Sequence, residues 1–287
     1  MTHYNRFNAF CQTSNLWNGS LCGIKAFTLS QFRFALTTAE EQELELPVIP
    51  ARTVLGKRAE YFFKFCVEHS TNYELLVHNM QIFKENVTLG ELDYIILETR
   101  NKKMLHVELV YKFYLYDPLQ HESKKIVEEP FNSELAKYVG PNRRDNFIYK
   151  LNRLKTHQLP LLYTPQAQES LGALGINVRQ VEQQVCFLAH VFIPRELWQH
   201  DFKYLNKKCI AGYYMCYSAF AKAETANAYF LPEKYAWKMK PHVIDSPRKF
   251  TEICEDVKQS LARGFAPLLW MQLENRSFEC FFVIQET

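Results

Sequence analysis

The stretch Thr88-Leu-Gly-Glu-Leu-Asp-Tyr-Ile-Ile-Leu-Glu98 is followed closely by Met104-Leu-His-Val-Glu-Leu-Val-Tyr-Lys-Phe-Tyr-Leu-Tyr116. In the second segment, apolar residues recur at every other position, which is the period of a β-strand. Arg100-Asn-Lys-Lys103, between the two segments, has the polar character of a turn. The stretch therefore predicts a β-hairpin, with Asp93 on one strand and Glu108 on the other.

These two acids are unusual because they lie in otherwise apolar strands, where an unpaired charge is costly. Two carboxylates on neighbouring strands can hold a hard divalent cation such as Mg²⁺ or Mn²⁺, and such a site can support metal-assisted cleavage of a phosphodiester. Each acid also has a structural explanation. Asp93 could be a carboxylate at a strand edge or turn, and Glu108 could form an ion pair with Lys112 or His106.

The composition is that of an ordinary globular protein, with 287 residues, 47% of them hydrophobic and 23% charged. With 34 basic and 31 acidic residues, the bulk charge does not indicate nucleic-acid binding, so a binding surface would need local clustering of cations. The eight cysteines form no CxxC pair and no nucleophile motif. Because we see neither a signal sequence nor an apolar run long enough to span a bilayer, we expect a cytoplasmic protein that does not enter the membrane.

Other elements follow from the same patterns. Helical spacing of apolar residues predicts a helix from Thr53 to His69 that lies on a sheet. Predicted strands are Tyr73–Phe83, Leu92–Leu97, Met104–Tyr116 and Gln184–Ile193. A helix is also predicted from Pro247 to about Arg263, with a closing hairpin of Pro267–Leu273 and Phe278–Gln285. We expect an N-terminal arm (1–50), a core (51–165) and a C-terminal α+β lobe (166–287).

A further helix is predicted after Gly140-Pro-Asn-Arg-Arg-Asp145, ending at about Leu159 because proline stops a helix. Its buried stripe would consist of Phe147, Leu151 and Leu154. A second stripe at helical spacing comprises Asn146, Lys150, Arg153 and His157. This basic stripe could bind phosphates of a nucleic acid, or it could be a solvated helix face.

The chain resembles the PD-(D/E)XK nuclease superfamily, and more narrowly the bacterial domain-of-unknown-function family 1853 within it. The residues that carry the resemblance are Glu60, Gly90-Glu-Leu-Asp93, His106-Val-Glu108, Lys112-Phe-Tyr-Leu115, Gly140-Pro-Asn-Arg-Arg-Asp145, Lys150 and His157-Gln-Leu159. They extend over roughly residues 50 to 160. The resemblance implies a restriction-endonuclease-like α/β fold, in which a mixed sheet is flanked by helices, with the C-terminal lobe as an addition.

The resemblance also implies roles for individual residues. Asp93 and Glu108 would be metal ligands, with the backbone carbonyl of Leu109 as a further oxygen donor to Mg²⁺ or Mn²⁺. Glu60 would orient this metal shell, unless it only pairs with Lys64 one helical turn away. Residues that would contact the substrate are Asn142, Arg153, His157 and Gln158.

One position departs from the superfamily pattern, because Val110 stands where a catalytic lysine is expected. Lys112 lies two residues further along the strand, about 6.6 Å away but on the same face. Either Lys112 or Lys150 could supply the charge. The leading hypothesis is therefore a metal-dependent nuclease acting on DNA or RNA. The alternative is a catalytically impaired, nuclease-like scaffold that binds nucleic acid or a protein partner.

Overall fold

The computed structural model describes residues 3–34, 45–50, 52–120, 130–222, 227–241 and 246–286. It has a mixed α/β fold, in which a large mixed β-sheet is flanked by helices, as expected from the sequence. Residues 35–44 of the predicted N-terminal arm lie outside the described residues. No helix within the described ranges is long and apolar enough to cross a membrane.

The strands are β1 (Ser20–Leu21), β2 (Ile24–Lys25), β3 (Tyr73–Lys84), β4 (Val87–Glu98), β5 (Lys103–Tyr116), β6 (Tyr138–Val139), β7 (Val181–Pro194), β8 (Ile210–Cys216), β9 (Ala228–Phe230), β10 (Leu268–Gln272) and β11 (Phe278–Ile284). The α-helices are α1 (His3–Cys11), α2 (Leu55–His69), α3 (Pro130–Ala136), α4 (Phe147–Arg153), α5 (Leu159–Leu161), α6 (Pro165–Gly172), α7 (Tyr217–Phe220) and α8 (Phe250–Ala262). A π-helix, Leu154–Gln158, joins α4 to α5.

The main sheet has the strand order β3-β4-β5-β7-β8-β11-β10-β9, and β6 pairs with β5. The pairs β3/β4 and β4/β5 are antiparallel, whereas β8 is parallel to both β7 and β11. The chain forms two compact units, each assembled from separate stretches. Unit 1 comprises Met1–Ala9, Lys112–Tyr149 and Ala189–Thr287, and unit 2 comprises Phe10–Tyr111 and Lys150–Leu188.

In unit 2, the predicted hairpin is confirmed. Tyr94 of β4 lies opposite Val107 of β5, and Glu98 lies opposite Lys103. The turn between them contains Lys102 in a left-handed conformation, at φ 56°. The strand β4 is longer than predicted and begins at Val87, because it pairs with β3 along most of its length. The carboxylates are thus carried by two adjacent strands within one sheet.

The predicted helix from Thr53 to His69 is also confirmed as α2, which begins at Leu55. The apolar residues at helical spacing that predicted this helix include Phe62, Phe63 and Cys66, and these three are buried. The rings of Phe63 and Tyr94 lie 4.6 Å apart between centroids, so α2 packs against β4 as expected. The apolar stripe holds this helix on the sheet and thereby fixes the position of Glu60.

The predicted stripe is buried, with Phe147 and Leu151 in α4 and Leu154 at the start of the π-helix. The prediction that Pro160 stops the helix is wrong, because helical backbone continues through Leu161. Proline lacks an N–H and is tolerated in the first turn of a helix, where that donor has no helical acceptor. The π-helix provides this situation, because it interrupts the α-helical ladder and Pro160 becomes the second residue of a new α-helical turn.

Each unit has its own apolar core. In unit 2, Ile82 and Leu92 of the sheet pack with Leu162 and with Leu171 of α6. In unit 1, the predicted helix and closing hairpin are confirmed as α8 and the pair β10/β11. Helix α8 contributes Ile253, Val257 and Leu261 to the core formed with these strands. The domain boundaries expected from the sequence stay a prediction.

Candidate functional site

Asp93 lies on β4 in unit 2 and is partly buried. The backbone N–H of Leu109 donates a hydrogen bond to Asp93 Oδ2 at 2.8 Å. Burial, followed by the charge of Glu108, raises the pKa of Asp93 well above its ordinary value of 3.8, and the bond from Leu109 opposes this change. Glu60 and Glu91 raise the same pKa further. Asp93 is therefore a carboxyl group whose charged form is disfavoured first by burial and then by surrounding negative charge.

Glu108 lies on β5 and its side chain is 0% exposed. Both of its carboxylate oxygens have hydrogen-bond partners. His106 Nε2 lies 2.9 Å from Oε1, and Gln158 Nε2 donates to Oε2 at 2.6 Å. Glu108 thus contacts His106, one of the two partners considered for it, and its oxygens can accept further bonds because a carboxylate oxygen has more than one lone pair.

Lys150 belongs to the same unit and is joined to Glu108 through Gln158. Its ammonium donates to Gln158 Oε1 at 2.7 Å, while the amide nitrogen of Gln158 donates to Glu108. Lys112, the other lysine expected from the sequence, belongs to unit 1 and pairs there with Asp145. Within unit 2, Lys150 is therefore the candidate lysine with a hydrogen-bonded connection to a carboxylate of the site.

Gln183 on β7 completes this connected set, and sequence reasoning did not identify it. Its side-chain amide lies 3.0 Å from His106 Nδ1 and donates to the carbonyl of Leu159 at 2.7 Å. Gln183 occupies the strand position between Val181 and Val185, both buried. In a strand, positions two residues apart face the same side, so a glutamine between two buried valines was the sequence feature that could have identified it.

Glu60 on α2 is partly buried and pairs with Lys57. The alternative pairing with Lys64 is wrong, because Lys64 pairs with Glu68. Asn79 Nδ2 donates to Glu60 Oε2 at 3.0 Å, and Asn79 has a left-handed backbone, at φ 50°, inside β3. A non-glycine residue in that conformation is uncommon and is found more often at functional sites than elsewhere.

The remaining candidates for contacts with the substrate lie outside the hydrogen-bonded set around Glu108. Arg153 and His157 are exposed on the helical segment, and His157 Nδ1 lies 2.6 Å from the hydroxyl of Thr156. Asn146 does not share their solvated face, because it is buried and its Oδ1 accepts the N–H of Ile148 at the start of α4. Asn142 belongs to unit 1, where its Oδ1 accepts the N–H of Ala266 at 2.8 Å.

The residues of unit 2 fit a hard divalent cation in charge and donor type. Asp93 and Glu108 supply carboxylate oxygens on adjacent strands, and the raised pKa of Asp93 reflects, after burial, the negative charge of Glu108. Among the described residues, no group of three or more His, Cys, Asp and Glu side chains could hold a metal ion. A cation held by this pair would take its other ligands from backbone, water and substrate, as Mg²⁺ commonly does.

Comparison with known proteins places the chain in a family. The sequence profile of the family described as Domain of unknown function (DUF1853) matches residues 11–278, and the chain belongs to this family. No curated protein matches the chain, and no solved structure matches it. Because the family description carries no activity, function has to be argued from the site itself.

Proposed function

We propose that the protein is a divalent-metal-dependent nuclease that hydrolyses phosphodiester bonds in DNA or RNA. The observation that carries this proposal is the pair of carboxylates on β4 and β5, where Glu108 is connected through Gln158 to Lys150. A partly buried acid, a buried acid on the neighbouring strand and a lysine ammonium connected to the second acid are the groups that such hydrolysis uses. The proposed affiliation is with the restriction-endonuclease-like PD-(D/E)XK superfamily.

The elements that carry these residues support that affiliation. Helix α2, the strand β3 and the acid-bearing hairpin β4/β5 follow one another, and α4 comes after α3 and β6. Val110 is buried at the position where the superfamily pattern has lysine. In our proposal Lys150, which is supplied by α4 rather than by β5, takes over that role.

Each residue has a distinct task in the proposed reaction. Asp93 and Glu108 would hold Mg²⁺ or Mn²⁺, with the carbonyl of Leu109 as a further donor. A cation held there would supply Lewis acidity, which lowers the pKa of a coordinated water and polarises a phosphate. Gln158 keeps Glu108 and Lys150 in fixed relative positions, and the Lys150 ammonium neutralises charge that develops on the phosphate oxygens.

The surrounding residues extend this proposal. Glu60 orients the metal shell from α2, since its negative charge already acts on Asp93. Arg153 and His157 are exposed and can contact the phosphates of a nucleic acid. Lys112 and Asn142 belong to unit 1, where they pair with Asp145 and Ala266, and the proposal assigns them no role.

The test is titration of Mn²⁺ into the purified protein by calorimetry, with cleavage of DNA and RNA measured on the same samples. We expect Mn²⁺ binding and cleavage in the wild type, and loss of both in Asp93→Asn and Glu108→Gln. Lys150→Met should retain Mn²⁺ binding but cleave at least about 100-fold more slowly, because it removes stabilisation of the transition state rather than a ligand. Glu74→Gln is the matched control, since Glu74 is an exposed carboxylate on β3 of the same unit.

A folded wild type that binds no Mn²⁺ would refute the proposal. That result would favour the alternative, a nuclease-like scaffold that binds nucleic acid or a protein partner without cleaving it. The burial of Val110 at the position of the missing lysine is the observation on which this alternative rests.

A further inference from the structure

His106 and Gln183 contact Glu108 directly or through one residue, and neither was assigned a role in the proposed function. The His106 and Glu108 side chains are both 0% exposed. Hydrogen bonds connect Lys150, Gln158, Glu108, His106, Gln183 and the Leu159 carbonyl in that order. The two ends of this series have unambiguous chemistry, because an ammonium only donates and a carbonyl only accepts.

Those ends fix the direction of every bond between them. The atom of Gln183 that faces the Leu159 carbonyl must be the amide nitrogen, and this nitrogen also lies 3.0 Å from His106 Nδ1. His106 Nδ1 is consequently the acceptor. The other ring nitrogen, Nε2, carries the proton and donates it to Glu108 Oε1 at 2.9 Å.

The opposite end of the series gives a consistent result. Lys150 can only donate, so the atom of Gln158 that faces it is the amide oxygen. The amide nitrogen of Gln158 is then directed to Glu108 Oε2. Each oxygen of Glu108 thus receives one bond from a neutral donor, and the two donors together define the plane of the carboxylate.

We infer that Gln183 holds His106 as its neutral Nε2–H tautomer and that this pair positions Glu108 for metal binding. His106 and Gln183 are positioning residues, because they act on the cation only through Glu108. This inference rests on the proposed function in so far as Glu108 is a metal ligand. Partners that orient a ligating carboxylate commonly contribute 10–100-fold to metal affinity or activity.

The first measurement is the tautomer of His106, which does not depend on metal binding. Protein with ¹⁵N-labelled histidine gives long-range ¹H–¹⁵N correlations that distinguish the two neutral tautomers and the imidazolium. The chain has nine histidines, so the His106 signals are assigned from their loss in His106→Gln. We expect the Nε2–H tautomer in the wild type and loss of this single tautomer in Gln183→Leu. Nδ1–H or imidazolium at His106 of the wild type would overturn the inference.

The second measurement is calorimetric titration of Mn²⁺ into the full chain. We expect the Kd for Mn²⁺ to rise 10–100-fold in His106→Leu and in Gln183→Leu. His106→Gln should restore binding to within a few-fold of the wild type, because its amide can still donate to Glu108. The control is Gln168→Leu, which removes an exposed amide bonded to the Tyr163 carbonyl in the same unit.

The outcomes separate this inference from the proposed function. Unchanged Mn²⁺ affinity in both leucine variants, with normal binding in the wild type, overturns the positioning role and leaves the nuclease proposal standing. Absence of Mn²⁺ binding in the wild type overturns the nuclease proposal, and with it the metal-positioning part of the inference, whichever tautomer is found. Circular dichroism of each variant establishes that it is folded, and His106→Gln provides a polar replacement if His106→Leu does not fold.

Discussion

Asp93→Asn should make the protein more stable at neutral pH while removing the proposed metal site. The wild-type carboxyl group is held where burial and the charge of Glu108 raise its pKa well above 3.8. Asparagine has nearly the same shape and carries no charge. Its side-chain oxygen can still accept the N–H of Leu109, which now donates to Asp93 Oδ2 at 2.8 Å.

The sign follows from the proton balance of folding. A carboxyl group with a raised pKa in the folded state binds more protons there than in the unfolded state, so its contribution to stability falls as pH rises. The loss begins near pH 3.8, the ordinary value, and is complete above the raised pKa. Each unit by which the pKa is raised corresponds to about 1.4 kcal/mol. Since the pKa of Asp93 is raised well above its ordinary value, we expect the free energy of unfolding of Asp93→Asn to exceed that of the wild type at pH 8.

The assay is urea unfolding followed by circular dichroism between pH 4 and pH 8, with EDTA present to remove divalent cations. The difference in free energy of unfolding between Asp93→Asn and the wild type should be largest at pH 8 and should shrink towards pH 4. Glu74→Gln, an exposed control, should change the free energy of unfolding by less than about 0.5 kcal/mol. A variant no more stable than the wild type at pH 8, or a difference that does not vary with pH, would refute the reasoning.

Two further predictions concern the scaffold. Burial lowers the pKa of His190 from 6.5 to about 3, so its contribution to stability is lost as pH falls through 6.5 and below. From pH 8 to pH 5 this loss amounts to about 2 kcal/mol, and urea unfolding of His190→Phe should show a correspondingly smaller decrease. Gly212→Ala should prevent folding or cost more than about 4 kcal/mol, because the added Cβ would lie 1.9 Å from the carbonyl oxygen of Cys280. Gly172→Ala is the control, since its Cβ would meet nothing within 4 Å and alanine favours the helix, so soluble yield and thermal unfolding should be unchanged or improved.

The local elements could be predicted because their patterns are strong. The alternation in Met104–Tyr116 extends over several residue pairs, and the helical spacing in α2 extends over several turns. Both elements formed where expected. The early start of β4 at Val87 could not be predicted, since its first residues are exposed and owe their conformation to pairing with β3. Pairing of this kind depends on a partner strand, so it cannot be predicted from the residues of one strand alone.

The candidate site could be predicted only in part. A turn between two strands brings Asp93 and Glu108 onto neighbouring strands, so their proximity followed from the hairpin alone. Gln183 comes from a distant strand, and its contact with His106 depends on the order of strands in the sheet. Strand order is a tertiary property, so the sequence around Gln183 could not identify His106 as its partner.

The π-helix explains how Lys150 and Gln158 come within hydrogen-bonding distance of each other. In a regular α-helix, eight residues turn about 800°, which leaves the two side chains about 80° apart around the axis. A π turn uses one residue more than an α turn, so Gln158 takes roughly the position that the seventh residue would have in an α-helix, about 20° from Lys150. The wider turn also removes one α-type backbone hydrogen bond, which lowers the stability of the helix. Here the π turn places Gln158 beside Lys150, and the bonds from Lys150 to Gln158 and from Gln158 to Glu108 both depend on that position.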